Sequence, residues 1–393
     1  MISSYAKKHH RKLKPKPAPS PNNSNYYDSK TFNVMDYGAK GDGKTDDTNA
    51  FKNAWLDACK AGNSEVLVPA DYTFLLGPLD LSVQCNNIIF QLNGNLLAST
   101  SSSAWKGNLL QWLNFRYVTD LRIQGTGRID GQGLAWWNKK NGFSTAPTAL
   151  RVADVKGSTV VGISFVNSAK AHLKFDNCDG VLVDTISIQS PGESPNTDGI
   201  HLQNSVNVEI RESKISSGDD CISIQTGCEN VFIDRVACGP SHGISIGGLG
   251  KNGEKATVSG VIVQDSTITS SMTGTRIKTW QGGSGAVSNV SFTNIRVSKV
   301  DTPIVIDQYY SDEGHTQNKT SAVAVTDISF VKIQGTYNQK AVSIACSDNS
   351  PCKGVTLSNI GLNSASLETE SPLCYRAYVS VEDPVSPSIN CKG

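Results

Sequence analysis

Three short runs return at one constant interval: DGIHL from Asp198, DCISI from Asp220 and HGISI from His242. Every run opens on a polar residue, passes a small one, and continues Ile, polar, apolar. That is the period of two a strand requires. The flanking strands keep nearly the same step, with NVEI at Asn207 and NVFI at Asn230. A propeller blade would repeat nearer to about 40–50 residues, and a β-sandwich would show irregular hairpin spacing. One coil of a parallel β-helix, about 22 residues long and stacked on its neighbours, accounts for the interval. The expected fold is all-β, a single-domain right-handed parallel β-helix.

The rest of the chain agrees with this expectation. Runs such as VVGISFVN, VLVDTISIQ, VIVQDSTI and NVSFTNIRV are rich in Val and Ile and are punctuated by Gly, Asn, Asp or Ser, as strands between turns are. One segment differs. In TDDTNAFKNAWLDACKAG, Phe51, Ala54, Trp55 and Ala58 fall at helical spacing. Asp46 and Asp47 can cap its start and Gly62 its end. A short N-terminal helix capping the solenoid is predicted there. The catalytic domain is expected over 31–393, because all-β units often run long as one domain.

Residues 1–30 have another texture. MISSYAKKHHRKLKPKPAPSPNNSN has the basic start of a secretory signal, but then turns to Pro, Ser and Asn. The apolar run of about 7–15 residues that a signal needs does not follow. A basic, Pro-stiffened disordered arm is expected. A nuclear-localisation role for KKHHRKLK, or a signal missing from this version of the chain, are the alternatives. No run of about 18 apolar residues occurs, so no membrane span is expected. A net charge of +1 gives no field that points to nucleic acid or a membrane surface. The even count of ten Cys favours disulfides and an oxidising compartment. Acceptor sequons at Asn22, Asn289 and Asn318 are compatible with secretion.

The period also places chemistry. Equivalent positions in stacked coils lie about 4.8 Å apart, so Asp198, Asp220 and His242 should form a column on one face, with Asp219 beside it. Adjacent Asp219 and Asp220 repel when both are ionised, which calls for a partner or a use. Two carboxylates at controlled separation can cleave a glycosidic bond, one as acid and one activating water. A separation of roughly 6.5–9.5 Å gives inversion. Blander readings exist: aspartates at solenoid corners satisfy turn amides, three of them can hold calcium, and His242 can be a turn residue. The shared period favours a site. Arg276 and Lys278 in TGTRIKTW are two apart on a predicted strand and so share a face. A cationic pair suits a substrate bearing carboxylates, and an acidic polysaccharide is the class this implies.

These residues resemble glycoside hydrolase family 28, most closely the plant polygalacturonases. The similarity starts at FNVMDYGAKGDGKTDDTNAF, continues through GRIDGQGLAWW, and carries four ordered motifs: SPNTDG from Ser194, GDDC from Gly218, SHG from Ser241 and RIK from Arg276. The resemblance implies a β-helix that hydrolyses α-1,4 links of polygalacturonate with inversion and without metal or other cofactor. Asp219 matches the general acid, Asp198 and Asp220 the pair that activates water, and His242 the histidine that tunes the acid. Asn196, Arg276, Lys278 and Tyr310 match substrate-binding positions, with Tyr309 adjoining the last. Trp136 and Trp137 match a family feature and are read as packing. The resemblance also implies the bridges Cys221–Cys238, Cys346–Cys352 and Cys374–Cys391, and less firmly Cys59–Cys85, leaving Cys178 and Cys228 unassigned.

Two departures stand out. Ser241 occupies the first glycine of the family's Gly–His–Gly. A serine there would be strained if the backbone has φ > 0 and harmless otherwise. Ser311 follows Tyr310 where plant members commonly have Cys. The expected function is a monomeric polygalacturonase acting on demethylated homogalacturonan, secreted to the plant cell wall. The alternatives are an exo-acting or rhamnogalacturonan-directed relative, a non-catalytic pectin binder in which Ser241 disables the site, and a calcium-dependent lyase on a similar solenoid.

Overall fold

Each strand finds its partner one coil away, which turns the interval in the sequence into a rung. The structure is a computed structural model that describes residues 29–105, 110–137, 145–312, 319 and 321–391. The expected arm falls almost wholly on residues 1–28, outside the described residues, as do Asn22 and Asn318. The first strand is Lys30–Asn33. The strands join into one continuous sheet that winds as a right-handed parallel β-helix. In the middle of the chain each coil contributes three. One coil has Ile200–Gln203, Val206–Arg211 and Lys214–Ser216, and the next has Ile222–Ile224, Cys228–Asp234 and Ala237–Cys238. Ile200 pairs with Ile222, and Ile222 with Ile244, so the interval between the three runs is one turn of the ladder.

Alternation supplies the core. Ile200, Leu202, Ile222, Ile224, Ile244 and Ile246 are all fully buried, each contributing about 1.5–3 kcal/mol over an exposed side chain. Inward residues stack in columns along the axis, as Phe292 and Phe330 do with rings 5.3 Å apart and nearly parallel.

The punctuating Gly, Asn and Asp residues have a specific cause. Near the start of each second strand the chain turns through left-handed backbone, and the turns line up. Gly180, Asn207, Asn230, Gly260, Asn289 and Asp327 have φ between 55° and 76°, and the strand register stacks them in successive coils. Only Gly, Asn and Asp enter this region readily. Asn230 adds a bond from Nδ2 to Asn207 Oδ1 at 2.7 Å. Replacing Asn230 with Val is therefore expected to destabilise the fold by about 1–3 kcal/mol, read as a lower denaturation midpoint.

The predicted helix spans Thr48–Ala61 and lies over the first coils. Phe51 meets Phe74 edge-on at 5.2 Å and Trp55 meets Phe115 at the same distance, which closes the N-terminal mouth of the solenoid. Its start is capped by Asp46, whose Oδ1 accepts from Thr48 N. Asp47 is used otherwise, accepting from the amides of Lys40 and Gly41 in the preceding loop. Gly62, at φ 63°, ends the helix by donating to Ala58 O.

All four bridges implied by the resemblance are present: Cys59–Cys85, Cys221–Cys238, Cys346–Cys352 and Cys374–Cys391. Cys178 and Cys228 are free and buried. The register sets Ser205 between them, two rungs apart, with the Cys178 amide donating to Ser205 Oγ. Among the described residues, no helix is long and apolar enough to cross a membrane.

Candidate active site

Asp198, Asp220 and His242 each stand two residues before an equivalent strand, in three successive coils. Backbone bonds between coils fix them there. Gly199 N donates to Asp220 O, Cys221 N to Gly243 O, and His242 N to Asp219 O, at 2.8–2.9 Å. Gly218 is what lets the acidic pair come this close to the SPNTDG loop. A Cβ on it would lie 2.0 Å from the Ser194 carbonyl oxygen, and its amide donates to Thr197 Oγ1. The Cys221–Cys238 bridge ties the coil of the pair to its own third strand.

The three carboxylates sit in three different environments. Asp220 is sealed, with its side chain only 3% exposed. Its Oδ1 accepts from Arg276 Nη2 at 2.6 Å and from Ser245 Oγ at 2.7 Å, and its Oδ2 accepts from Lys278 Nζ at 2.9 Å. Burial pushes its pKa up, but Lys278 and Arg276 outweigh that and hold it below the ordinary carboxylate range. Asp219 is more open. Its Oδ1 faces His242 Nδ1 at 3.1 Å and accepts from the Asp220 amide, whereas Oδ2, among the described residues, has one 3.3 Å bond, from Asn196. Burial again acts upward, and the hydrogen bond and charge of His242, with Lys278, bring it well below the usual range. Asp198 goes the other way. Burial and the neighbouring charges of Asp219 and Asp220 raise its pKa, opposed by His201, whose Nδ1 lies 3.2 Å from Oδ2.

Arg276 and Lys278 do share a face, on the strand Thr273–Thr279, yet both are buried and both bind Asp220 rather than standing free in the groove. Lys278 Nζ also lies 5.1 Å from the centre of the Tyr310 ring. Burial, with Asp312 nearby, pushes the Tyr310 phenol up to about 12, so it stays a hydroxyl donor. Tyr309 turns away, its hydroxyl accepting from the Asp348 amide. Tyr310 is thus the tyrosine beside the cationic pair. Trp136 is buried edge-on against Trp105 at 5.2 Å, whereas Trp137 lines a cavity of about 610 Å³ with Asp130, Gln132 and Asn167.

Ser241 has no left-handed backbone, so the strain considered for this departure does not arise. Its hydroxyl accepts from the Gly243 amide at 3.0 Å and lies 3.2 Å from Ser271 Oγ, bracing the turn that carries His242.

Three polar groups at the site escaped the sequence reading. His201 lies inside DGIHL, three residues after Asp198. Ser245, inside HGISI, joins Asp220 to Arg276, whose Nε donates to its hydroxyl. His172 is fully buried, and burial lowers its pKa to about 4, so it is a neutral ring. Its Nδ1 faces the Asp198 carbonyl oxygen at 2.9 Å and its Nε2 faces Ser190 Oγ at 2.8 Å. Register was the signal that could have found the first two, because His201, Ser223, Ser245 and Arg276 occupy one column.

Asp219, Asp220 and His242 bring ligand atoms within 4.8 Å of one another. The donor set does not suit a divalent cation, because Arg276 and Lys278 already occupy both oxygens of Asp220 and would repel it. Calcium would need about six to eight oxygen ligands.

Carboxylates held in distinct environments beside one another, at the surface of a parallel solenoid, are the equipment that glycoside hydrolysis uses. The family described as glycosyl hydrolases family 28 matches residues 59–378, and the chain belongs to it. A shorter match, to the rhamnogalacturonase A/epimerase, pectate lyase-like family, covers residues 31–72. A polygalacturonase of Persea americana is 40% identical over 84% of this chain and 73% of its own length. Polygalacturonase-2 of Solanum lycopersicum is 38% identical over 91% and 80%. Among solved structures, the endo-xylogalacturonan hydrolase of Aspergillus tubingensis superposes with a TM-score of 0.79 at 25% identity, covering 92% of this chain and 98% of that one. A polygalacturonase from Erwinia carotovora shares the fold at a TM-score of 0.71 and 24% identity, covering 86% and 94%.

Proposed function

We propose that this chain is an inverting polygalacturonase that hydrolyses α-1,4-galacturonosyl links of demethylated pectin. The observation that carries the reading is the convergence on one face of an open acid–imidazole pair, Asp219–His242, a raised carboxyl, Asp198, and a cation-locked carboxylate, Asp220. In Asp219, Oδ1 already has two partners, so Oδ2, with one long bond from Asn196, is the oxygen aimed at a substrate. The proton it delivers belongs to the Asp219–His242 pair rather than to either group. It passes to the glycosidic oxygen as the C–O bond breaks. Water adds to the anomeric carbon from the opposite face and gives its proton to Asp198. Asp220 is held too firmly by Arg276 and Lys278 to be the better base, and instead orients the water. Asn196, Tyr310 and the Asp220-bound pair Arg276 and Lys278 are the substrate-binding residues in this reading. Two cations against one carboxylate leave a positive excess for a galacturonate carboxylate.

Asp198, Asp219, Asp220 and His242 all come from one chain, so this reading, action as a monomer included, needs no partner subunit at the site. Four disulfides and the plant relatives support an extracellular setting, the cell wall. Incubation with polygalacturonate should release reducing ends without a product absorbing in the ultraviolet, and the first-formed anomer should be inverted. An unsaturated product would mean elimination. Binding without turnover would mean a pectin-binding homologue. A ladder of intermediate lengths at early times would mark endo action, and monomer alone exo action.

A further inference from the structure

Each of the two open carboxylates has a histidine of its own. The pairing of Asp219 with His242 follows from the motifs, but that of Asp198 with His201 does not. Among the described residues, His201 is the one group hydrogen-bonded to the Asp198 carboxylate, at 3.2 Å from Nδ1 to Oδ2. Both side chains keep some contact with solvent, 21% for His201 and 16% for Asp198. The backbone between them is tightly placed. Gly199 N bonds to Asp220 O, and from the preceding coil the amide and Nδ1 of His172 both face Asp198 O.

We infer that His201 is a positioning residue for the hydrolytic base, its Nδ1–H fixing Oδ2 of Asp198 so that Oδ1 is presented to the attacking water, and its positive charge, when present, favouring the ionised carboxylate. This rests on the polygalacturonase reading for its catalytic meaning but not for its electrostatics. The need is plain: burial and the carboxylates of Asp219 and Asp220 all favour a protonated Asp198, and a protonated carboxyl takes no proton from water. Other charges around the pair do not replace the histidine. Lys174, one rung below His201 in the same column, also acts on Asp198 through its charge, but its ammonium bonds to Gln203 Oε1 at 3.0 Å and gives the Asp198 carboxylate no hydrogen bond. One rung above is Ser223, which is uncharged. Lys278 and Arg276 bond to Asp220 and give no hydrogen bond to Asp198.

The test uses the full chain with His201→Leu, which removes hydrogen bond and charge, and His201→Asn, which can keep a donor without the charge. With polygalacturonate as substrate, the acid limb of kcat/KM should move up by about 1–2 pH units in His201→Leu and by less in His201→Asn, while kcat at the optimum falls more in the Leu variant. In the free protein, a carbon NMR titration of the Asp198 carboxyl should show the same upward displacement. A limb and a titration that stay in place in His201→Leu would overturn the inference, even if the variant loses stability. Wild-type protein that releases no reducing ends would instead overturn the polygalacturonase reading, and the NMR titration would still decide the role of His201.

Discussion

Asp219→Asn should lose about 100- to 10,000-fold in kcat on polygalacturonate while remaining folded. Asparagine keeps the shape, and its oxygen can still accept from the Asp220 amide and from His242. What it lacks is the proton that Asp219 Oδ2 would hand to the leaving oxygen. Reducing-end release measured beside a denaturation curve separates the two effects. A variant with wild-type turnover would remove Asp219 from the acid role, and with it the reading of Asp219 and His242 as one proton-delivering pair. Binding of polygalacturonate should survive, because Arg276, Lys278 and Tyr310 are untouched.

Asp220→Asn should behave in the opposite manner, losing stability as well as activity. It leaves Arg276 and Lys278, both 8% exposed, facing each other without the carboxylate that binds them both. Breaking a buried pair in this way costs about 3–5 kcal/mol. Adding Lys278→Met to Asp220→Asn should recover part of the loss, which a double-mutant cycle would measure. The pH dependence has a definite sign. Because the carboxyl of Asp220 is held below its unfolded value, its stabilisation is fully present above about pH 4 and fades as pH falls through the depressed native pKa. The gap between wild type and Asp220→Asn in chemical denaturation should therefore be widest near neutrality and narrow in acid. Equal stability at neutral pH would show that the cations find other partners.

The parts of the site that lie on successive rungs were readable without coordinates, because a constant interval along the chain translates directly into strand register. Asp198, Asp220 and His242 are such a set, and so is the burial of the isoleucines that follow them. Arg276 is not. It pairs with Ser245 across a longer step than the coils before it, since the segment after Leu249, through Lys251–Gly253, lengthens that coil. With the interval broken, nothing in the spacing said that Arg276 and Lys278 would close on Asp220, and two cations on one strand face read as free for substrate. His201 was hidden differently. It sits where an outward strand residue belongs, so its polarity needed no further cause; its column with Ser223 and Ser245 marks the place, and its hydrogen bond to Asp198 shows the use. Ser241 could be placed in the turn but not judged, because letters do not carry φ. The left-handed column of Gly, Asn and Asp was visible as punctuation, though not as one aligned turn repeated down the molecule.

The Thr48–Ala61 helix has a consequence beyond its own packing. A stack of identical rungs has no natural first member, since its lowest strands offer amides and carbonyls that would accept another copy as readily as the next coil accepts them. By setting Phe51 and Trp55 across that opening, the helix gives the molecule a beginning. At the far end the last strand, Ala377–Ser386, contains Pro384, which cannot donate to a further rung, and Cys374–Cys391 ties the tail back. Addition of a further rung is thereby opposed at both ends of the stack.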